Sequence, residues 1–508
     1  MTSMPIIEPD LGDVDRAVEH FAAALGADRV STDPGVLQAF RDPFIFREST
    51  EFDAAAMVSP TSVEEVQAVV RVANEHRVPL WTFSQGRNNT YGGAAPRLRG
   101  SVLVNLRGMN QVTEVNEELA YAVVEPGVRW FDLFDALEAA GGRLWTSIPD
   151  LGWGSVIGNT LEYGRGYTPY GDHAENVCGM EVVLPTGELV RTGLGAMPGS
   201  RSAHVYRHGF GPNLQGLFFQ SGLGIVTGMG VWLQRRPETY SSCFLTHTGM
   251  DSLAAVTDAL RELMLEGVIV NYPVLLRGML IDEEGNPHVD PASETWTTRY
   301  ALYGRAEVVE ANYRVCEQVF GAIPDVRMTR RTFDGTKRSN FANHEDRVQC
   351  GIPDMDIAEL FKLAYGEDTA HLDFSPVGPL RGADVVATAE LMRELYERAG
   401  LGYTSGLLLS PRNVIHISTS MFDPHDEAQT KAVYDNYVVM ADELAARGCP
   451  VYRTSLRNMD LVAGQLSFND HSLLRLNERI KDALDPAGIL QPGKQGVWAR
   501  RFRASAQI

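Results

Sequence analysis

Between Pro149 and His173 the chain reads PDLGWGSVIGNTLEYGRGYTPYGDH, with six glycines (Gly152, Gly154, Gly158, Gly164, Gly166, Gly171) set among tyrosines and a tryptophan. No amphipathic helix reads this way, because a helix interior loses about 1 kcal/mol at each glycine. Glycine at this density means backbone at positive φ or backbone pressed against a neighbour. The aromatics between call for a flat partner. Two readings follow, and the stretch alone leaves both open: a loop laid along a large, flat, phosphate-bearing cofactor, or a loop-rich connection between strands.

A chain of 508 residues has room for two or three domains. Its net charge of −20, with no basic stripe, excludes a nucleic-acid or anionic-membrane partner. The start MTSMPIIEPDLGD has neither a basic region nor an apolar core, so no signal peptide is expected. Residues 209–234 carry no charge, but seven glycines, a proline, an asparagine and three glutamines rule out a membrane span. Five cysteines (Cys178, Cys243, Cys316, Cys350, Cys449) are spaced too widely for a disulfide framework or a zinc site, which suits a reducing cytoplasm. His204 and His208 could share a helix face, but the glycines and proline that follow and the lack of an acidic partner argue against a metal.

In chain order, residues 11–41 read as helical. A strand at 56–60 ends at Pro60, and Thr61 to Glu64 form a capping box opening a helix with Val63, Val66, Val70 and Ala73 on one face. A strand at 78–83 runs into Ser84-Gln-Gly-Arg-Asn-Asn-Thr-Tyr-Gly-Gly93, whose successive free N–H groups suit an anion. Strands follow at 101–106, 121–125, 180–184 and 229–233, with a helix at 130–140. Three glycine triplets (152/154/158, 193/195/199, 222/224/228) miss the dinucleotide spacing, so a Rossmann fold is not supported. Beyond residue 235 glycine thins out. Helices at 252–266, 306–321, 385–399 and 427–447 alternate with strands at 298–303, 371–374, 406–409 and 414–418, an α+β pattern with helices on one sheet face. The acidic piece 282–290 reads as a surface loop, and a last helix spans 470–484. The chain thus reads as one domain made from both ends with a second inserted.

Several segments together resemble the vanillyl-alcohol oxidase and p-cresol methylhydroxylase family of flavoproteins, and within it the 4-phenol oxidases that act on eugenol-like compounds. They are Val58-Ser-Pro with Glu64-Glu-Val, Gly86-Arg-Asn-Asn-Thr-Tyr-Gly-Gly-Ala-Ala-Pro-Arg97, Pro149-Asp-Leu-Gly-Trp-Gly, Gly166-Tyr-Thr-Pro-Tyr-Gly-Asp-His173, Tyr452-Arg-Thr and Pro492-Gly-Lys-Gln-Gly496. The resemblance implies an α+β chain: a p-cresol methylhydroxylase-type FAD-binding domain of two α/β subdomains (1–234, completed by 452–508) and an inserted α+β substrate cap (235–451).

It also implies roles. His371 stands where oxidases of this family bind FAD covalently, whereas the cytochrome-linked relatives use a tyrosine; by residue type alone it would be a polar surface histidine. Tyr91, Tyr452 and Arg453 match the trio that grips the phenol oxygen. A guanidinium and two hydroxyl donors favour phenolate, which makes the para benzylic C–H a hydride donor. Asp150 aligns with the carboxylate beside the flavin, a base for water adding to a p-quinone methide. Pro149 sits where dioxygen reaches the reduced flavin. Tyr167 lines the pocket or simply packs. Ser84, Gly86, Arg87, Asn88, Asn89, Gly158, Asn159, Ile225, Val226 and Lys494 are assigned to FAD.

Three positions depart from the family pattern: Ser455 replaces a histidine, Arg412-Asn-Val-Ile-His416 replaces a more polar run, and Gly406 replaces a glutamine. With Leu408 and His416, Gly406 is assigned to a wider, more apolar substrate pocket. The expected activity is FAD-dependent oxidation of para-substituted phenols with dioxygen reduced to hydrogen peroxide, in a cytoplasmic homodimer. The rivals are a dehydrogenase passing electrons to a cytochrome-type acceptor, a sugar or 2-hydroxyacid oxidase on the same fold, and a flavin binder without turnover.

Overall fold

The computed structural model describes residues 9–281, 287–290, 292–337, 341 and 343–505. Near the N-terminus, strands Ala56–Val58, Val102–Asn105 and Leu80–Phe83 pair in parallel, with Val30–Ser31 antiparallel at the edge. A parallel sheet is covered on both faces, so its strands are mostly apolar, with Thr82 and Asn105 the partly buried exceptions. Val102 and Val104 pack on helix Val63–His76 while Leu103 faces the opposite core. Ser62 caps that helix by accepting from the Glu65 amide, one residue later than the capping box expected, and Val66, Val69, Val70 and Ala73 are its buried face.

The second layer is a five-stranded antiparallel sheet in the order Val112–Asn116, Tyr121–Val124, Ile225–Trp232, Val177–Val183, Leu189–Arg191. The C-terminal segment returns to this unit. Leu490 bridges Leu80, and the buried ammonium of Lys481 donates to the Gly222 carbonyl at 2.7 Å while pairing with Asp485 at 2.7 Å.

The middle of the chain forms an eight-stranded antiparallel sheet. Its main path runs Arg327–Asp334, Thr239–Thr248, Thr295–Gly304, Val274–Arg277, Gly406–Leu409, Asn413–Phe422, Ala370–Phe374, with Val377–Pro379 also on Asn413–Phe422. Period-two alternation assigns its faces. Leu407, Leu409 and Val414 pack under helices Met250–Leu265, Ala306–Phe320 and Gly382–Arg398, whereas Leu408 and Ile415 pack towards the glycine-rich loop. Among the described residues no helix is long and apolar enough to cross a membrane, and all five cysteines are buried and outside any disulfide.

Several expectations need correction. Residues 11–41 are not one helix: Val14–Leu25 stops at Gly26 (φ +98), and Val30–Ser31 is a strand. The glycine-rich stretch does contain a short helix, Val156–Leu161, capped by Ser155. None of its six glycines lies at positive φ. Five are close approaches instead: a Cβ on Gly158 would meet Ser84 Oγ at 2.3 Å, and one on Gly152 would meet Phe131 and Pro353 at 2.7 Å. Of the acidic piece 282–290, residues 282–286 lie outside the described residues, and Pro287–Val289 is a strand paired with Met279–Ile281.

Candidate active site

Seventeen of the assigned positions line one cavity of about 340 Å³ between the sheets. Along one part, strand Leu80–Phe83 delivers the turn 84–89, where Gly86 adopts φ +64 against Ala94. Ile225 and Val226 open the central strand of the five-stranded sheet beside it. The Arg87 guanidinium sits 4.5 Å over the Trp153 ring, with no carboxylate partner among the described residues. Lys494 pairs with Glu162 and lies 5.7 Å from the Trp81 ring. A turn at 84–89 on the cavity wall, an arginine without a carboxylate and flanking aromatic surfaces suit a flat group carrying phosphates, so these residues fit FAD.

Elsewhere on the wall stand Tyr91, Tyr452 and Arg453. Arg453 donates to Asn88 Oδ1 at 2.8 Å and lies 4.2 Å from the Tyr91 ring centre and 6.0 Å from that of Tyr452. Burial pushes the Tyr91 hydroxyl well above its usual range, so it stays a donor. Burial works against the Arg453 charge, yet the neighbouring Tyr452 and Tyr91 hold it above its usual value.

Asp150 reaches the same cavity from the glycine-rich loop. Tyr167 donates to its Oδ2, Arg299 donates to Oδ1 at 3.1 Å, and His344 Nε2 stands 3.5 Å away. Burial opposes its ionisation, but His344 and Arg299 hold the carboxyl well below the usual range. Arg299 also lies 4.2 Å over the Tyr167 ring and pairs with the buried Glu345. Tyr167 is therefore fixed by contacts on its face and its hydroxyl.

Arg299, His344 and Glu345 escaped the sequence reading. The available signal was a lone arginine in a strand otherwise uncharged from Trp296 to Tyr303; His344-Glu-Asp-Arg347 reads as a solvated charge run.

His371 is not on the cavity wall. It shares a strand face with Asp373, which is, and stops behind Asn89 with Nε2 3.2 Å from the amide nitrogen. Burial lowers its pKa, leaving a neutral imidazole.

Leu408 lines the cavity, but Gly406 and His416 do not. Gly406 pairs with Leu276, whose Cδ2 would lie 3.2 Å from an added Cβ, so leucine already covers the space left by glycine. His416 sits opposite Leu407, on the helix-covered face, where burial lowers its pKa to about 3; assigning it to the substrate pocket mistook its strand face. Nor do His204 and His208 share a helix: His204 Nδ1 lies 2.9 Å from the Cys178 carbonyl in an irregular segment.

Comparison with known proteins finds matches along nearly the whole chain. The FAD binding domain family matches residues 54–193. The flavoprotein subunit of 4-cresol dehydrogenase [hydroxylating] from Pseudomonas putida is 32% identical, with 96% of each chain covered. The 1'-carboxy-chondrochloren decarboxylase of Chondromyces crocatus is 40% identical, over 95% of this chain and 97% of that one. The 4-ethylphenol oxidase of Gulosibacter chungangensis, solved with isoeugenol, superposes with a TM-score of 0.90 at 34% identity, over 98% of this chain and 100% of that one. The chain belongs to the vanillyl-alcohol oxidase and p-cresol methylhydroxylase family and is an FAD-dependent oxidoreductase.

Proposed function

We propose that the protein is an oxidase of para-substituted phenols, with a flavin domain formed by 1–234 and 452–508 and a substrate cap formed by 235–451. The observation that carries the reading is the convergence of Tyr91, Arg453 and Tyr452 on one part of the cavity that also holds Asp150. Ser84, Gly86, Arg87, Asn88, Asn89, Gly158, Asn159, Ile225, Val226 and Lys494 would hold FAD and His371 would tether it; bound there, it would supply a hydride acceptor and a route for the electrons to dioxygen.

The protein's own groups do the rest. Arg453, charged and buried, draws the phenol towards phenolate, while the Tyr91 and Tyr452 hydroxyls donate to the same oxygen. The negative oxygen pushes electron density through the ring to the para carbon, weakening its benzylic C–H. Loss of hydride there leaves a p-quinone methide. Asp150, ionised at neutral pH, takes the proton of the water that adds to it, or a proton from the side chain when an alkene forms.

A dehydrogenase is the second reading, favoured by the 32% identity to a 4-cresol dehydrogenase subunit. Turnover of 4-ethylphenol in air, against the same reaction with an artificial electron acceptor under nitrogen, separates the two. Comparable rates with one peroxide per product support the oxidase. A rate in air below about 1% of that with the acceptor, two factors of ten, overturns it.

A further inference from the structure

The two cations that face Asp150 come from the eight-stranded sheet unit: Arg299 from strand Thr295–Gly304, and His344 from helix His344–Val348. Arg299 is matched by Glu345 on its other nitrogen. His344, 5% exposed, is placed differently. Its Nδ1 lies 2.7 Å from Asp354 Oδ1 and its Nε2 lies 3.5 Å from Asp150 Oδ1. These are the two ring nitrogens, each facing a carboxylate. A neutral imidazole with its one proton spent on Asp354 would turn a bare lone pair towards Asp150; the doubly protonated ring donates to Asp354 and sets a cation 3.5 Å from Asp150, beyond a good hydrogen bond.

The same segment grips the loop that carries Asp150. The Gly152 amide donates to the Asp354 carbonyl at 3.0 Å, and a Cβ on Gly152 would come within 2.7 Å of Pro353, so only glycine lets the two backbones meet.

We infer that His344 is a positioning residue whose doubly protonated ring bridges Asp150 and Asp354, keeping Asp150 ionised and fixed at the cavity so that seating of segment 343–354 sets the acid–base state of the site. The inference rests on Asp150 acting as the base in the reading above. The charged and titratable groups around the bridge are Arg299, Glu345 and Tyr167 on the Asp150 side and Arg347 on Asp354 at 2.8 Å. The bridge agrees with the electrostatics: burial works against the cation, yet both carboxylates raise His344 to about 10.

His344→Gln keeps hydrogen-bonding capacity and removes the charge. In turnover of 4-ethylphenol, the acid limb of kcat should move up by one unit or more, which is an approximately tenfold loss at each pH on that limb and no loss on the plateau above it. A loss equal at every pH is what a merely structural role gives, and it overturns the inference. Asp150→Asn separates the two claims: if it keeps full turnover, the reading of Asp150 has failed. The bridge is then decided without activity, by ¹⁵N NMR of histidine-labelled holoenzyme with His344 assigned by difference from His344→Gln. Both ring nitrogens protonated at pH 8, reverting to the neutral form in Asp354→Asn, supports the bridge; a neutral His344 at pH 8 overturns it.

Discussion

The guanidinium of Arg453 stacks 4.2 Å from the centre of the Tyr91 ring and donates to Asn88, 365 positions earlier in the chain. One cation thus joins the turn that follows strand Leu80–Phe83 to the returning C-terminal segment, at the wall of the cavity. Arg453→Met should lower kcat/KM for 4-ethylphenol about 10²–10³-fold, the usual effect of removing one oxyanion donor. The loss should shrink for phenols whose own pKa is lowered by an electron-withdrawing ring substituent. Steady-state kinetics with the two phenols checks both.

Gly406 lies beneath Leu276 rather than on the cavity wall, and Leu276 packs on the cluster that includes the wall residue Leu408, so an effect on substrate range would run through these two leucines. A glutamine there must push Leu276 aside. Gly406→Gln should therefore lower kcat/KM for bulky para substituents by about 10–200-fold, the worth of a methylene or two in a pocket, while sparing 4-cresol. Unchanged kinetics with large and small phenols alike would show that the position does not shape the pocket.

Stability should carry the signature of the His344 bridge. Its folded pKa, raised to about 10, exceeds the unfolded value of about 6.5, so its contribution is complete below pH 6.5 and is lost as pH rises through 10. Asp150 has the opposite sign: its depressed pKa stabilises above about pH 4, and that contribution is lost as pH falls. The Tm difference between the parent protein and His344→Gln should narrow steadily from pH 7 to pH 10. A difference that stays constant over that range contradicts the charge assigned to His344.

The parts of the site legible in the sequence are those carried by contiguous runs. The turn 84–93, the Pro149-Asp150 start of the glycine-rich loop and the Tyr452-Arg453 pair each announce themselves locally. Arg299 and His344 do not, because what makes them important is a tertiary contact with Asp150 from a strand and a helix far along the chain. The same cause explains His416. The strand was legible, but its facing depends on pairing with Leu407, which a single strand does not reveal. In the glycine-rich stretch, composition called for either positive φ or close approach, and the structure selects close approach at Gly152, Gly158, Gly164, Gly166 and Gly171.

His371 bears on the flavin linkage. A neutral imidazole has the one ring lone pair that covalent attachment needs, and here Nε2 faces the Asn89 amide nitrogen at 3.2 Å. Acid precipitation of the purified protein should give a yellow pellet and a colourless supernatant. In His371→Ala the colour should move to the supernatant. A parent protein that releases all of its flavin would remove the tether.

The most direct test of the account is anaerobic mixing of the purified holoenzyme with 4-ethylphenol, followed by absorbance near the flavin maximum and then by admission of air. The expected result is bleaching, then recovery of the yellow colour with about one hydrogen peroxide per flavin reoxidised. Flavin that stays oxidised in the presence of the phenol would contradict it.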